Sequence, residues 1–141
     1  MARVLIATSR YYEKISLELE AGAQAALDEA GCKTETIEVP GAFEVPGVIA
    51  MAADSARWDG YLALGCVIRG ETSHYDYVCG ESARGLMDLA VQRRLAIGYG
   101  ILTVENQDQA WARADRGQKN KGRDAAEACL AMLEFRKKFV R

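Results

Sequence analysis

His74 is the only histidine of the chain, and it closes a run whose residue types suit an anion and a proton transfer. That run, Cys66-Val67-Ile68-Arg69-Gly70-Glu71-Thr72-Ser73-His74-Tyr75-Asp76, passes from apolar residues through a glycine and hydroxyls into a helix start. Free backbone N–H groups at such a junction suit a phosphate or another anion. Thr72 or Ser73 serves equally well as an N-cap. A single histidine is usually a surface or packing residue, yet beside a candidate anion site it can carry a proton near neutral pH.

Three other segments hold residues capable of chemistry. Ser9-Arg10-Tyr11-Tyr12-Glu13 offers two adjacent tyrosines, which either stack on a flat ring or pack against the next helix. It has neither the glycines of a dinucleotide fingerprint nor the Lys-Ser/Thr ending of a P-loop. Pro40-Gly41-Ala42-Phe43-Glu44-Val45-Pro46-Gly47 lets a ligand approach the backbone closely, and Glu44 can accept hydrogen bonds from hydroxyls. Glu44 at a helix start is also what the helix dipole favours. Beyond Val104-Glu105-Asn106-Gln107, Arg113 is either a bidentate phosphate clamp or a solvent-exposed arginine.

The elements that must position these segments are strands alternating with helices. Val4 to Thr8 is a short apolar run that reads as a buried strand, and Ile15, Leu19, Ala23, Ala26, Leu27 and Ala30 then recur at helical spacing before Gly31. Lys33 to Val39 alternates as a second strand, closed by Pro40-Gly41; the next helix carries Val45, Val48, Ile49, Ala52, Ala53 and Ala56 on one face. Tyr61 to Ile68 is a third strand, and a helix over about 73–94 follows with Val78, Ser82, Leu86, Leu89 and Ala90 inward. Ala96 to Val104 is the fourth strand, Gln107 to Ala114 a short helix, and the last helix faces inward through Ala125, Ala128, Cys129, Met132 and Leu133.

This alternation predicts an α/β fold: one domain over residues 1–141, a four-stranded, mainly parallel sheet with helices on both faces. In such sheets ligands bind beyond the carboxyl ends of the strands, where the strand order reverses. The four chemistry-bearing segments all follow strands, so they are expected to meet there.

Composition narrows the partners. A net charge of −2 lacks the basic footprint of a nucleic-acid-binding protein. The basic run Phe135 to Arg141 reads as a solvated helix terminus whose cations complement the dipole. Cys32, Cys66, Cys79 and Cys129 are widely spaced with no Cys-x-x-Cys pair, which with a single histidine argues against a zinc site. The first eight residues do not form a signal peptide, and no apolar run approaches the roughly 20 residues of a membrane span. A soluble cytoplasmic protein without membrane contact is the expectation.

Taken together and in order, four segments resemble the lumazine synthases: Gly-Ala-Phe-Glu at 41–44, Val-Ile-Arg-Gly-Glu-Thr-Ser-His-Tyr-Asp at 67–76, Gly-Ile-Leu-Thr-Val-Glu-Asn at 100–106 and Asn-Lys-Gly at 120–122. The intervening helical stretches match in length, so the resemblance covers the chain from the first strand onward. It implies a flavodoxin-like three-layer α/β/α sandwich. It also implies a transferase of riboflavin biosynthesis that needs no metal or organic cofactor. Such an enzyme condenses 5-amino-6-(D-ribitylamino)uracil with 3,4-dihydroxy-2-butanone 4-phosphate to 6,7-dimethyl-8-ribityllumazine.

The resemblance also assigns roles. It puts Tyr11 on the pyrimidine, Ala42, Phe43 and Glu44 around the ribityl chain and ring, and Cys66, Val67 and Ile68 along the heterocycle. Glu71, through its backbone N–H, and Thr72 would contact the phosphate, and His74 would move the protons. Tyr99, Arg113 and Lys121 would come from the neighbouring subunit of a homopentamer, and riboflavin synthase would act downstream as a candidate partner. Three departures stand out: Tyr11-Tyr12 replaces the usual Phe-Asn pair, the sequence starts almost at the first strand, and 115–120 lacks the Gly-Thr-Lys-Ala-Gly-Asn pattern of sixty-subunit shells. The last two favour a pentamer, with a decamer next. A lumazine-synthase-like pentamer that only holds flavin is the rival reading; an electron carrier of flavodoxin type would need a Thr/Ser-Gly phosphate loop after the first strand.

Overall fold

The computed structural model of the chain describes residues 1–139; Val140 and Arg141, the end of the basic run, lie outside the described residues. Strands β1 (Arg3–Ser9), β2 (Lys33–Val39), β3 (Gly60–Ile68) and β4 (Ala96–Val104) alternate with helices α1 (Glu13–Glu29), α2 (Val45–Asp54), α3 (His74–Gln92), α4 (Gln107–Ala114) and α5 (Lys121–Phe139). A single 3₁₀ turn, Ala42–Glu44, precedes α2. The sheet order is β2-β1-β3-β4 with every pairing parallel. This is the expected three-layer α/β/α sandwich of flavodoxin type, with no antiparallel strand among the four.

Alternation along β1 and β3 builds both cores at once. Val4, Ile6, Leu62 and Leu64 face α1, α4 and α5, where they meet Leu19, Leu27, Ala110, Ala114 and Cys129. Leu5, Ala7, Tyr61 and Ala63 face the other way, onto Val45 and Ile49 of α2 and Val78 and Leu86 of α3. A strand buried on both faces must be apolar throughout, which is why β1 and β3 read as unbroken apolar runs. The outer strand β2 alternates instead, with its charged residues exposed.

Two close approaches fix where α5 lies. A Cβ on Gly98 of β4 would collide with the Ala125 carbonyl, and one on Gly122 would collide with the Leu19 carbonyl of α1. The buried face of α5 is consequently Gly122, Ala125, Ala126, Cys129 and Leu133. Ala128 and Met132, expected inward, are exposed, and Ala126 takes an inward place the apolar pattern did not give it. At the other boundaries, Gly31 adopts φ 74 as the expected stop of α1. Ala30 is exposed at the α1 C-cap, and Ala56 lies beyond α2.

The link between α4 and α5 is tied to α1 by Glu18, which accepts from the Arg116 backbone N–H at 2.9 Å and from its guanidinium at 3.0 Å. The backbone hydrogen bond foremost, then the guanidinium, holds the Glu18 carboxyl below the ordinary carboxylate range. A depressed folded-state pKa contributes stability above the unfolded value, about 4.3, and loses it as pH falls through the folded value. Glu18→Gln is therefore expected to lower the melting temperature by about 3 °C at pH 7. In thermal melts the gap between the two proteins should close as pH drops below about 4; a gap that stays constant to pH 2 would contradict the linkage.

Candidate active site

The chain leaves β1 for β2 on one side and then crosses to β3 on the other, so the crevice between β1 and β3 lies open at their carboxyl ends. A cavity of about 540 Å³ occupies this switch point, within the roughly 300–1,000 Å³ of small-molecule sites. It is lined from three of the four segments expected to meet here, and the one carrying Arg113 is absent from it. Ser9, Tyr11 and Tyr12 follow β1, Pro40 to Glu44 follow β2, and Cys66, Val67, Ile68, Gly70, Thr72, His74, Tyr75 and Val78 belong to the end of β3 and the start of α3.

The loop after β1 is held by polar contacts rather than by its aromatics. Ser16 of α1 donates to the Ser9 carbonyl at 2.6 Å. Arg10 grips Glu20 of α1 through two nitrogens, at 2.7 and 3.0 Å, and Thr8 donates to the same carboxylate at 3.0 Å. The two tyrosines differ in burial. Tyr12 packs against the α1-side core, while Tyr11 stays 77% exposed at the cavity. Their rings meet edge to face at 5.0 Å.

In the segment after β2, Ala42 is buried whereas Phe43 and Glu44 are exposed into the opening. Glu44 occupies the N-cap position of α2 but makes no side-chain capping bond. Its carboxylate is left to accept from a ligand.

The β3–α3 junction is braced by Arg69. Its guanidinium reaches Glu105 at 2.7 Å and Asp76 at 3.6 Å and lies over the Tyr75 ring at 4.4 Å. Helix α3 starts at His74, whose backbone N–H is accepted by the Thr72 hydroxyl at 3.3 Å. Ser73 is the N-cap residue but makes no side-chain capping bond. The His74 imidazole is exposed and bonds to no other described residue, so it is available to a substrate. Glu71 lies exposed on the same loop, outside the cavity lining.

Cys66 sits on the cavity floor, and burial pushes its thiol up to about 12. At pH 8 that leaves a thiolate fraction of about 10⁻⁴, so alkylation should run at least about 10³-fold slower than at a free cysteine. Peptide mapping after iodoacetamide treatment measures this directly. Labelling of Cys66 at the rate of free cysteine would refute it.

The remaining expected site residues lie elsewhere on the chain. Tyr99, Arg113 and Lys121 line a separate cavity of about 290 Å³ beyond the edge strand β4, beside α4 and α5. Arg113 is half-buried, donates to the Gln109 carbonyl at 3.0 Å and pairs with no carboxylate among the described residues. Lys121 pairs with Asp124 at 3.2 Å. One chain therefore carries nine of the expected residues in one cavity and three in another. The sequence reading missed Ser9, Tyr75 and Val78 as lining residues and Arg69 as a brace, although Arg69 and Tyr75 fall inside the quoted 67–76 segment.

The family model for 6,7-dimethyl-8-ribityllumazine synthase matches residues 1–137. The chain belongs to that family. Relatives named 6,7-dimethyl-8-ribityllumazine synthase include one from Bartonella tribocorum, 56% identical over 96% of this chain and 91% of that relative. A second, from Sphingopyxis alaskensis, is 55% identical over 99% of this chain and 98% of its own length. A third, from Agrobacterium fabrum, is 54% identical over 96% and 95% respectively. In this lumazine synthase family chain, what the first cavity offers is chemically coherent. It holds flat aromatic surface at Tyr11 and Phe43, a carboxylate acceptor at Glu44, backbone donors at the α3 start and an exposed imidazole.

Proposed function

We propose that this chain is a 6,7-dimethyl-8-ribityllumazine synthase of riboflavin biosynthesis, whose site is assembled from two subunits of a cytoplasmic homopentamer. The observation that carries the site reading is the division of the expected residues between two cavities on one chain. A pyrimidine, a ribityl chain and a proton carrier find their partners in the first cavity. The guanidinium suited to a phosphate stands in the second, beyond an edge strand.

In this reading Tyr11 and Phe43 face the pyrimidine, Glu44 and Ala42 meet the ribityl chain, and Cys66, Val67 and Ile68 run along the heterocycle. The 5-amino group attacks the ketone of 3,4-dihydroxy-2-butanone 4-phosphate and water leaves to give an imine. Phosphate is then eliminated to leave an enol, which tautomerises to a new ketone; the ribityl-bearing nitrogen closes on that carbonyl, and a second water departs. Thr72 and the Glu71 backbone N–H hold the phosphate together with Arg113 of the neighbour, whose Tyr99 and Lys121 complete the ring pocket. His74 takes and returns the protons. Holding two reactants side by side is the main source of acceleration, since effective molarities of oriented pairs reach about 10⁵–10⁸ M. No described helix is long and apolar enough to cross a membrane.

The test is to mix both substrates with the purified protein and follow lumazine fluorescence. Arg113→Ala should raise the KM for the keto-phosphate by about 10–100-fold, the loss of a charge-assisted clamp, and leave that for the pyrimidine nearly unchanged. Equal weakening of both substrates would contradict the Arg113 assignment. Binding of both ligands without product would leave a flavin- or lumazine-holding protein.

A further inference from the structure

The opposite end of the sheet carries a second concentration of charge that the proposed reaction does not use. At the amino end of β3 a cavity of about 360 Å³ is lined by Trp58, Asp59, Tyr61, Arg93, Arg94 and Arg136. Arg3 and Arg57 lie beside it, over the Trp58 ring at 5.5 and 5.6 Å. Five guanidiniums thus gather at one end of a chain whose net charge is −2, against the two carboxylates of Asp54 and Asp59.

Those carboxylates do not neutralise the group. Asp54 is taken by Arg93 at 2.7 Å, and Asp59 accepts from the Arg3 backbone N–H at 2.8 Å. Arg136 spends two nitrogens on the carbonyls of Asp59 and Arg94, at 2.8 and 2.9 Å, which fixes its position and leaves its charge uncompensated. Arg94 makes no ion pair with any described residue and is held at φ 56, in the left-handed region.

The same cavity holds a hydroxyl that no described protein group engages. Tyr61 is 2% exposed, lines this cavity, and its hydroxyl bonds to no described residue. The little exposure that side chain keeps is to the basic cavity, so its hydroxyl is left to bond to whatever occupies that space. Cations at the ends of α3 and α5 also complement the helix dipoles. The dipoles require neither a cavity nor an unpartnered phenol.

We propose that this pocket binds a phosphoryl dianion, carried either by inorganic phosphate or by a phosphate monoester. A planar carboxylate matches one guanidinium fork. Here the donors converge from three directions: the phenol of β3, the arginines at the end of α3 and the arginine of α5. A tetrahedral dianion accepts from all three. This site is distinct from the phosphate position of the proposed reaction, and the inference stands whether or not that reaction is correct.

Trp58 and Trp111 are the only tryptophans, so a Trp111→Phe protein reports on this pocket alone. Titration with inorganic phosphate, and separately with glycerol 1-phosphate, should change Trp58 emission saturably. Sodium chloride and acetate at matched ionic strength should not. Equal half-saturation by both phosphates identifies the phosphoryl group itself as the ligand, and tighter binding of the ester identifies a monoester. Arg94→Asn, which tolerates the left-handed backbone, and Tyr61→Phe, which removes only the hydroxyl, should each weaken the response by about tenfold. Arg113→Ala should leave it unchanged. Absence of a saturable response, an equal response to chloride or acetate, or full affinity in both pocket variants with native circular dichroism would overturn the proposal.

Discussion

Replacing His74 by alanine is expected to lower kcat by about 10–10³-fold while leaving substrate affinity largely intact, the range that a positioned acid–base group contributes. The structure explains why the loss should fall on kcat. His74 is exposed in the first turn of α3, its imidazole bonds to no described residue, and no core contact depends on it. The backbone donors at the α3 start survive the substitution, and so do Glu44 and the aromatics opposite. Binding and orientation are then preserved and only the proton carrier is lost, which is why activity should persist above background. Steady-state rates with each substrate varied in turn make the measurement. A raised KM with unchanged kcat would make His74 a binding residue, and full activity would remove it from the mechanism.

Much of this fold is legible along the chain because the physics that builds it is local. Strand β1 is apolar from Val4 to Ala7 and β3 along its length since both faces are covered, and β2 and β4 were placed with the boundaries that the structure shows. What the apolar pattern did not convey is the rotation of α5. Gly122 brings that helix against the Leu19 backbone of α1, and Gly98 accepts the Ala125 carbonyl on β4. Those backbone contacts turn Ala126 inward and Ala128 and Met132 outward. A glycine's value as a place of close approach is set by what lies opposite, which a single sequence does not reveal.

The candidate site was legible to the same extent and for a similar reason. Rules about parallel sheets place ligands beyond the strand ends, and the segments around Tyr11, Glu44 and His74 do converge there. The bracing of those segments was not legible. Arg69 reaches Glu105 across 36 positions of sequence, and Arg10 bridges two elements through Glu20 and Glu38. Spacing along the chain also says nothing about which side of the edge strand a residue faces. That the cavity of Tyr99, Arg113 and Lys121 shares no lining residue with that of His74 appears only in three dimensions.

That separation leads to the prediction with the sharpest outcome. In a cyclic, head-to-tail ring each interface joins the His74 cavity of one subunit to the Arg113 cavity of the next, so each interface forms one site. A His74→Ala subunit still presents an intact Arg113, and an Arg113→Ala subunit an intact His74. Each parent ring contains only defective sites. When equal amounts of the two proteins are unfolded together and reassembled, random placement pairs the intact halves at about a quarter of the interfaces. Activity measured at keto-phosphate concentrations below KM, where the Arg113 defect is fully expressed, should recover to about that fraction of the unsubstituted enzyme. The same preparation reports assembly size: native mass spectrometry should show mixed rings of five chains, with paired rings of ten as the next possibility. Mixed rings with no recovered activity would mean that each subunit closes its own site, by a movement bringing Arg113 across β4, and the shared site would have to be abandoned.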